Sequence, residues 1–194
     1  MNLIEYSIIP TEEIILNEYE TANRLKVSKG FTSAEIEKNL ERLKDVVNGR
    51  FSATRVLIKR PKEDTLDLGF GEFKSKILAK NLKDSREAFV FAVTLGMGVD
   101  RLLTKLSKTS TAEYFITDAL ASAMAEALMD EAERRVKGEI LTRPRFSPGF
   151  GDFTIEIQPR ILSLLNAQKL LGITVNDSFL MSPVKSVTAV MGIV

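Results

Sequence analysis

The chain has 194 residues, 44% apolar and 27% charged, and its 27 basic against 26 acidic side chains leave a formal charge of +1. That balance fits a soluble globular protein with its own core and gives no electrostatic footprint for nucleic acid or an anionic membrane. Cys, His and Trp are all absent, which excludes disulfides, thiolate nucleophiles, zinc ribbons, imidazole metal ligands and a Ser-His-Asp triad.

The N-terminal Met1-Asn2-Leu3-Ile4-Glu5 reaches an acidic residue before any apolar run long enough for a signal peptide. The longest apolar run, 88–99, is too short to span a bilayer. A cytoplasmic protein is expected. After a short opening strand, Asn17 can cap a helix to about Leu25. Thr32 and Glu35 form a capping-box pair before the apolar stripe Ile36, Leu40, Leu43 and Val47, with a stop near Asn48-Gly49. Alternation over 52–60 predicts a strand, and 65–68 a second short one ending at Gly69-Phe70-Gly71. Ser75 can cap a helix to about Leu82. Residues 87–95, rich in Phe and Val, read as a central strand covered on both faces.

Gly96-Met97-Gly98 follows, then a helix over 99–106. Ser110 or Thr111 opens the longest helix, to about Val136, whose many alanines demand a close neighbour; Gly138 ends it. Residues 143–153 read as an ordered loop. Pro159 suits the first turn of a helix through Leu165, and Asn166 can cap another closing at Gly172. Strands are expected over 173–175, 179–181 and 187–193, the last two joined around Pro183-Val184-Lys185-Ser186. With no repeat or linker, the pattern predicts a single α+β domain over 1–194 with a mixed or antiparallel sheet and flanking helices. Its helical N-terminal part covers 1–50 and its α+β core 51–194.

Three features invite a functional reading. Gly96-Met97-Gly98 lies between strand and helix, where amides can cradle a phosphate, but Arg101 stands where a dinucleotide motif needs a third Gly, so a tight structural turn is favoured. Glu126, inside the Ala-rich helix, is either a solvated residue, the favoured reading, or a part-buried acceptor for a cation; Glu139 reads as an exposed loop residue. The stretch Arg145-Phe146-Ser147-Pro148-Gly149-Phe150-Gly151 is more pointed. Arg145 suits a carboxylate clamp, the rigid backbone can read an adenine edge, and Phe146 or Phe150 can stack on a planar ring or lie near a sulfonium. A β-turn packed on the core is the plain alternative.

That stretch is followed by Ile157-Gln158-Pro159, Leu164-Leu165-Asn166-Ala167-Gln168-Lys169-Leu170-Leu171-Gly172, Asp177-Ser178-Phe179-Leu180-Met181-Ser182-Pro183 and Ser186-Val187. In this order the motifs resemble the C-terminal activation (reactivation) domain of cobalamin-dependent methionine synthase. Residues 1–115 share only its layout and look closer to a short stand-alone version.

The resemblance implies an activation-domain fold and S-adenosylmethionine as ligand, bound by the loop 143–153. It implies a role in reductive remethylation of cob(II)alamin held by a partner, methionine synthase or another corrinoid protein, with a flavodoxin-type electron donor. The chain would then be an accessory part of a methyltransferase in methionine biosynthesis. Lacking His, it cannot ligate cobalt as base-off corrinoid proteins do, and no metal site of its own is expected. By position, the resemblance assigns Arg145 to the methionyl carboxylate, and Ser147 and Gly149 to backbone contacts with the adenosine. It assigns Glu126 and Glu139 to the ammonium or to water, and Phe150 stands where better-known members have Tyr. Contacts the longer domain makes beyond position 194 and from its N-terminal half have no counterpart. The surface around the loop is expected to be apolar with few charges. Two other classes stay open: an interaction module capping a cobalamin domain without the nucleoside, and an unrelated enzyme using Glu126 or Glu139 as base.

Overall fold

The computed structural model describes residues 4–26 and 31–194; Met1, Asn2 and Leu3 of the signal-peptide reading lie outside them. The chain runs β1 (Ile4–Ile9), α1 (Glu18–Lys26), α2 (Ser33–Lys44), β2 (Gly49–Leu57), β3 (Lys59–Lys62), β4 (Thr65–Asp67), β5 (Glu72–Lys74) and α3 (Lys76–Asn81). It continues with β6 (Glu87–Thr94), α4 (Met97–Thr109), α5 (Thr111–Lys137), α6 (Gln158–Leu164), α7 (Ala167–Leu171), β7 (Thr174–Val175), β8 (Met181–Ser182) and β9 (Ser186–Gly192).

Strand β6 is apolar on both faces, and that decides the layering. Successive side chains of a strand point to opposite faces, so Phe89, Phe91 and Val93 enter one core and Ala88, Val90 and Ala92 the other. The antiparallel sheet runs β1-β2-β6-β9. Its register sets Phe51 beside Val93 and Ala53 beside Phe91, and Ala189 and Met191 beside Phe91 and Phe89. This face packs on Ile116, Leu120, Met124 and Leu128 of α5, against which α1, α2 and α4 are laid. The buried Ala121, Ala125 and Ala132 allow that close approach. The opposite face carries α3, α6 and α7 with the small β3-β4-β5 sheet, through Leu66, Leu78, Leu82, Ile161, Leu165 and Leu171.

The α+β class, the doubly covered central strand and the caps at Thr32, Ser75 and Ser110 are as expected. Four local readings are corrected. The strand expected over 52–60 begins at Gly49, ends at Leu57, and resumes as β3 in a different sheet. Helix α2 stops at Lys44, short of Asn48. Asn166 takes a left-handed backbone (φ 49°) with no side-chain cap. Strand β8 pairs with β7, not with β9, because the Asn176 carboxamide accepts the Ser178 and Leu180 N–H groups and turns the chain back on itself. Strand β9, covered on both faces, lies against β6 instead.

Candidate functional site

The free edge of β9 is where residues 142–146 dock. Thr142 bridges Ile193, the Arg143 N–H donates to the Gly192 carbonyl, and Phe146 and Val190 exchange backbone hydrogen bonds at 2.8 and 2.9 Å. An edge strand left open is a pairing liability; here the loop closes it. Phe146 and Phe153 turn into the core beside α6. The loop's far end is fixed by Asp152, which accepts the Ser75 hydroxyl at 2.7 Å and the Lys76 and Ile77 N–H groups at 2.7 and 3.2 Å. The Ser75 bond, then those backbone donors, hold the Asp152 carboxyl below its ordinary range. Between these anchors Gly149 (φ 97°), Phe150 and Gly151 (φ 58°) project outward. The loop is thus both a packed turn and an exposed rigid tip.

Arg145 leaves this loop toward α5. Glu126, Asp130 and Glu133 are spaced i, i+4, i+7 and therefore share one helix face. The Arg145 guanidinium donates to Glu126 and Glu133 at 2.8 Å each and to Asp130. Burial is the largest single influence on Arg145 and opposes its charge, but the hydrogen bonds to Asp130 and Glu133 outweigh it and hold its pKa above the usual value. The solvated reading of Glu126 is corrected: its side chain is 29% exposed and ion-paired.

Among the sequence-assigned residues, Glu126 and Arg145 meet, and Phe146 and Phe150 have ring centroids 6.4 Å apart. Gly149 gives its N–H to the Phe153 carbonyl, so only its open outer side remains for a ligand. Ser147 is half-buried and has no hydrogen-bond partner among the described residues. Glu139 is not part of the cluster; it lies exposed beyond the C-cap Gly138. Asp130, Glu133 and Asp152 were not singled out from sequence, although the 126/130/133 spacing was a usable signal. The expectation of an apolar surround with few charges is met only in part. Exposed Phe150 and Ile77 flank the tip, but an adjacent groove is lined by Lys80, Lys83, Asp84 and Arg143.

Gly96-Met97-Gly98 is a packed turn. A Cβ at Gly98 would lie 2.2 Å from the Val46 carbonyl oxygen, and Asp100 in the first turn of α4 accepts the Val184 N–H at 2.9 Å. Among the described residues no group of three or more His, Cys, Asp or Glu side chains is arranged to hold a metal ion, and no helix is long and apolar enough to cross a membrane.

No family model matches the sequence, and no curated protein matches it. A solved structure does: the MetH reactivation domain bound to AdoHcy superposes with a TM-score of 0.70, over 98% of this chain and 78% of that one, at 17% sequence identity. The fold is that of the MetH reactivation domain. The antiparallel sheet with its flanking helices, read first from hydrophobic pattern, is therefore an architecture already seen around an AdoHcy-bound domain.

Proposed function

We propose that this chain binds S-adenosylmethionine and supports reductive remethylation of cob(II)alamin in a cobalamin-dependent methionine synthase or related corrinoid methyltransferase. The observation that carries the reading is the fold match to the AdoHcy-bound MetH reactivation domain. The loop motif Arg145-Phe146-Ser147-Pro148-Gly149-Phe150 adds to it by lying against α5 on a closed sheet edge.

The residues present fit such a ligand. S-adenosylmethionine carries an ammonium, a sulfonium and a carboxylate, and the cluster offers three carboxylates around one guanidinium. Glu126 and Glu133 are placed to receive the ammonium. Arg145 takes the ligand carboxylate in exchange for Asp130, the most exposed of its partners at 59%. Ser147 offers unused N–H, hydroxyl and carbonyl groups to the nucleoside. When bound, the ligand supplies the methyl group. The protein's part is orientation, since residues locked by packing and hydrogen bonds lose little freedom on binding. Cobalamin belongs to the partner, because this chain has no His or Cys to ligate cobalt, and a flavodoxin-type donor supplies the electron.

A second reading has its own observation. Arg145 is already satisfied by three carboxylates, which suits an interaction module capping a cobalamin domain without the nucleoside. The third class is disfavoured by geometry, since Glu126 is ion-paired and Glu139 faces open solvent. Calorimetry of the purified protein with S-adenosylmethionine and S-adenosylhomocysteine decides. Saturable binding is expected. Its absence would leave the interaction module.

A further inference from the structure

A second site lies on the other side of α3. A cleft of about 1120 Å³ is walled by the β3–β4 hairpin and the helix, and lined by Arg60, Lys62, Lys76, Lys80 and Lys83 with Ala79 at its base. Only Glu63 and Asp64, at the hairpin turn, carry the opposite sign there. Lys76 and Lys80 lie one turn apart on α3, and Lys83 follows in the turn just past its end. Arg60 and Lys62 come from β3, whose pairing with β4 shifts register between Lys59 and Lys62. Lys59 approaches Asp67 at 3.9 Å.

Several cations elsewhere are answered by carboxylates, whereas others, among them Lys105, Lys108, Lys137 and Lys169, have no carboxylate partner among the described residues. Lys38 and Arg42 pair with Glu113, Arg55 with Glu87, Arg134 and Arg135 with Glu131, and Arg145 with its three partners. Among the described residues, Lys62, Lys76, Lys80 and Lys83 have no such partner. Like charges at this spacing repel, which is unfavourable in a helix of six residues. Arg60 is preorganised: its Nη2 donates to the Leu82 and Ser85 carbonyls at 2.6 and 2.9 Å, which fixes its planar fork in the wall.

We infer that this cleft binds an oligophosphate anion, either as a free phosphate chain or as the phosphate arm of a nucleotide. Phosphate oxygens can be shared between the Arg60 fork and several lysine point charges at once. The site is concave, which favours a small polyanion that enters it over the flat face of an acidic protein. The inference does not rest on the S-adenosylmethionine reading, although Lys80 and Lys83 also line the groove beside the loop tip.

The test is calorimetry on the full chain at low ionic strength with inorganic triphosphate, ATP and a polyglutamate peptide as probes. Both phosphates are expected to bind, and less tightly as salt rises. The triple variant Lys76→Ala/Lys80→Ala/Lys83→Ala should weaken binding roughly thirtyfold, at about threefold per exposed lysine. Lys80→Arg should retain binding, and Lys62→Ala, on the opposite wall, should weaken it about threefold even if the triple variant folds poorly. Lys108→Ala on α4 is the control. Tighter binding of ATP than of triphosphate supports the site as a nucleotide site, and equal binding supports it as one for the phosphate chain alone. The inference is overturned if neither phosphate binds, if the cleft variants and Lys108→Ala bind alike, or if only polyglutamate binds, which would assign the cleft to an acidic protein surface.

Discussion

Replacing Arg145 by Ala would leave Glu126, Asp130 and Glu133 facing one another on α5 without a counter-ion. If Arg145 also grips the ligand carboxylate, Arg145→Ala should cost about 1.5–3 kcal/mol of S-adenosylhomocysteine affinity, roughly 10- to 150-fold by calorimetry. Equal affinities would remove the clamp. The same variant should melt lower, and adding Glu133→Gln should recover part of that loss, a coupling of about 1 kcal/mol in a double-mutant cycle. Another acidic residue on this helix gives a pH signature. Hydrogen bonds from Arg134 and then Arg135 hold the Glu131 carboxyl at about 2, against an ordinary 4.5. A carboxyl depressed in the folded state stabilises above its unfolded value and loses that contribution as pH falls through its folded one. Arg134 is well exposed and water screens the pair, so Glu131→Gln should cost about 1 kcal/mol near neutrality. The gap between the two proteins in urea melts should close as pH approaches 2. The loop residues were legible because Pro, Gly, Arg and aromatics rarely crowd into seven positions without a structural reason. Asp130 and Glu133 were not, because spacing shows only a shared helix face and cannot say which cation crosses to it.

Helices and strands were legible where one signal dominated. The Thr32–Glu35 box, the Ser75 and Ser110 caps and the two-faced apolar run of β6 each point to one structure. The break at Ile58 was hidden, because the alternation of Thr54, Val56 and Ile58 runs up to it and does not mark where the chain leaves one sheet for another. The pairing of β8 with β7 was hidden for a related reason: alternation marks a strand but not its neighbour. Two glycines separate packing from backbone strain as causes of element placement. Gly98→Ala drives a Cβ to 2.2 Å from the Val46 carbonyl oxygen, a backbone atom that cannot rotate away. Chemical denaturation should show a loss of about 2–3 kcal/mol. Gly138→Ala meets nothing within 4 Å, but its φ of 51° with ψ of −121° is a backbone region that L residues avoid, so about 1–3 kcal/mol is expected from strain alone. A loss below about 1 kcal/mol at Gly98 would mean that α4 tolerates displacement from the turn at Val46. Ser75→Ala removes both the cap on Leu78 N–H and the hydroxyl donor to Asp152. It should cost about 1–2 kcal/mol and loosen the tip at Phe150, which hydrogen exchange at Gly151 and Phe153 would report.

Across the whole molecule the loop 143–153 is a clasp between layers. Arg145 reaches α5 on one side of the sheet, while Asp152 and Phe153 reach α3 and the α6 side on the other. A tip held from both sides can present a ligand in one orientation at an open surface, where Phe150 is 65% exposed. The composition explains why orientation is the expected contribution: with no His and no Cys, the chain has neither a cobalt ligand nor a thiolate-activating metal site of its own. The protein alone is therefore expected to transfer no methyl group to homocysteine. Mixed with an oxidised methionine synthase fragment lacking its activation module, a one-electron reductant and labelled S-adenosylmethionine, it should produce methylcobalamin, followed by absorbance and by the label. Phe150→Ala removes an exposed ring whose only ring contact among the described residues is Phe146, so it should slow that reaction while leaving the melting temperature unchanged. If methylcobalamin does not exceed the control without this protein although calorimetry shows S-adenosylmethionine bound, the ligand reading stands and the methionine synthase client falls.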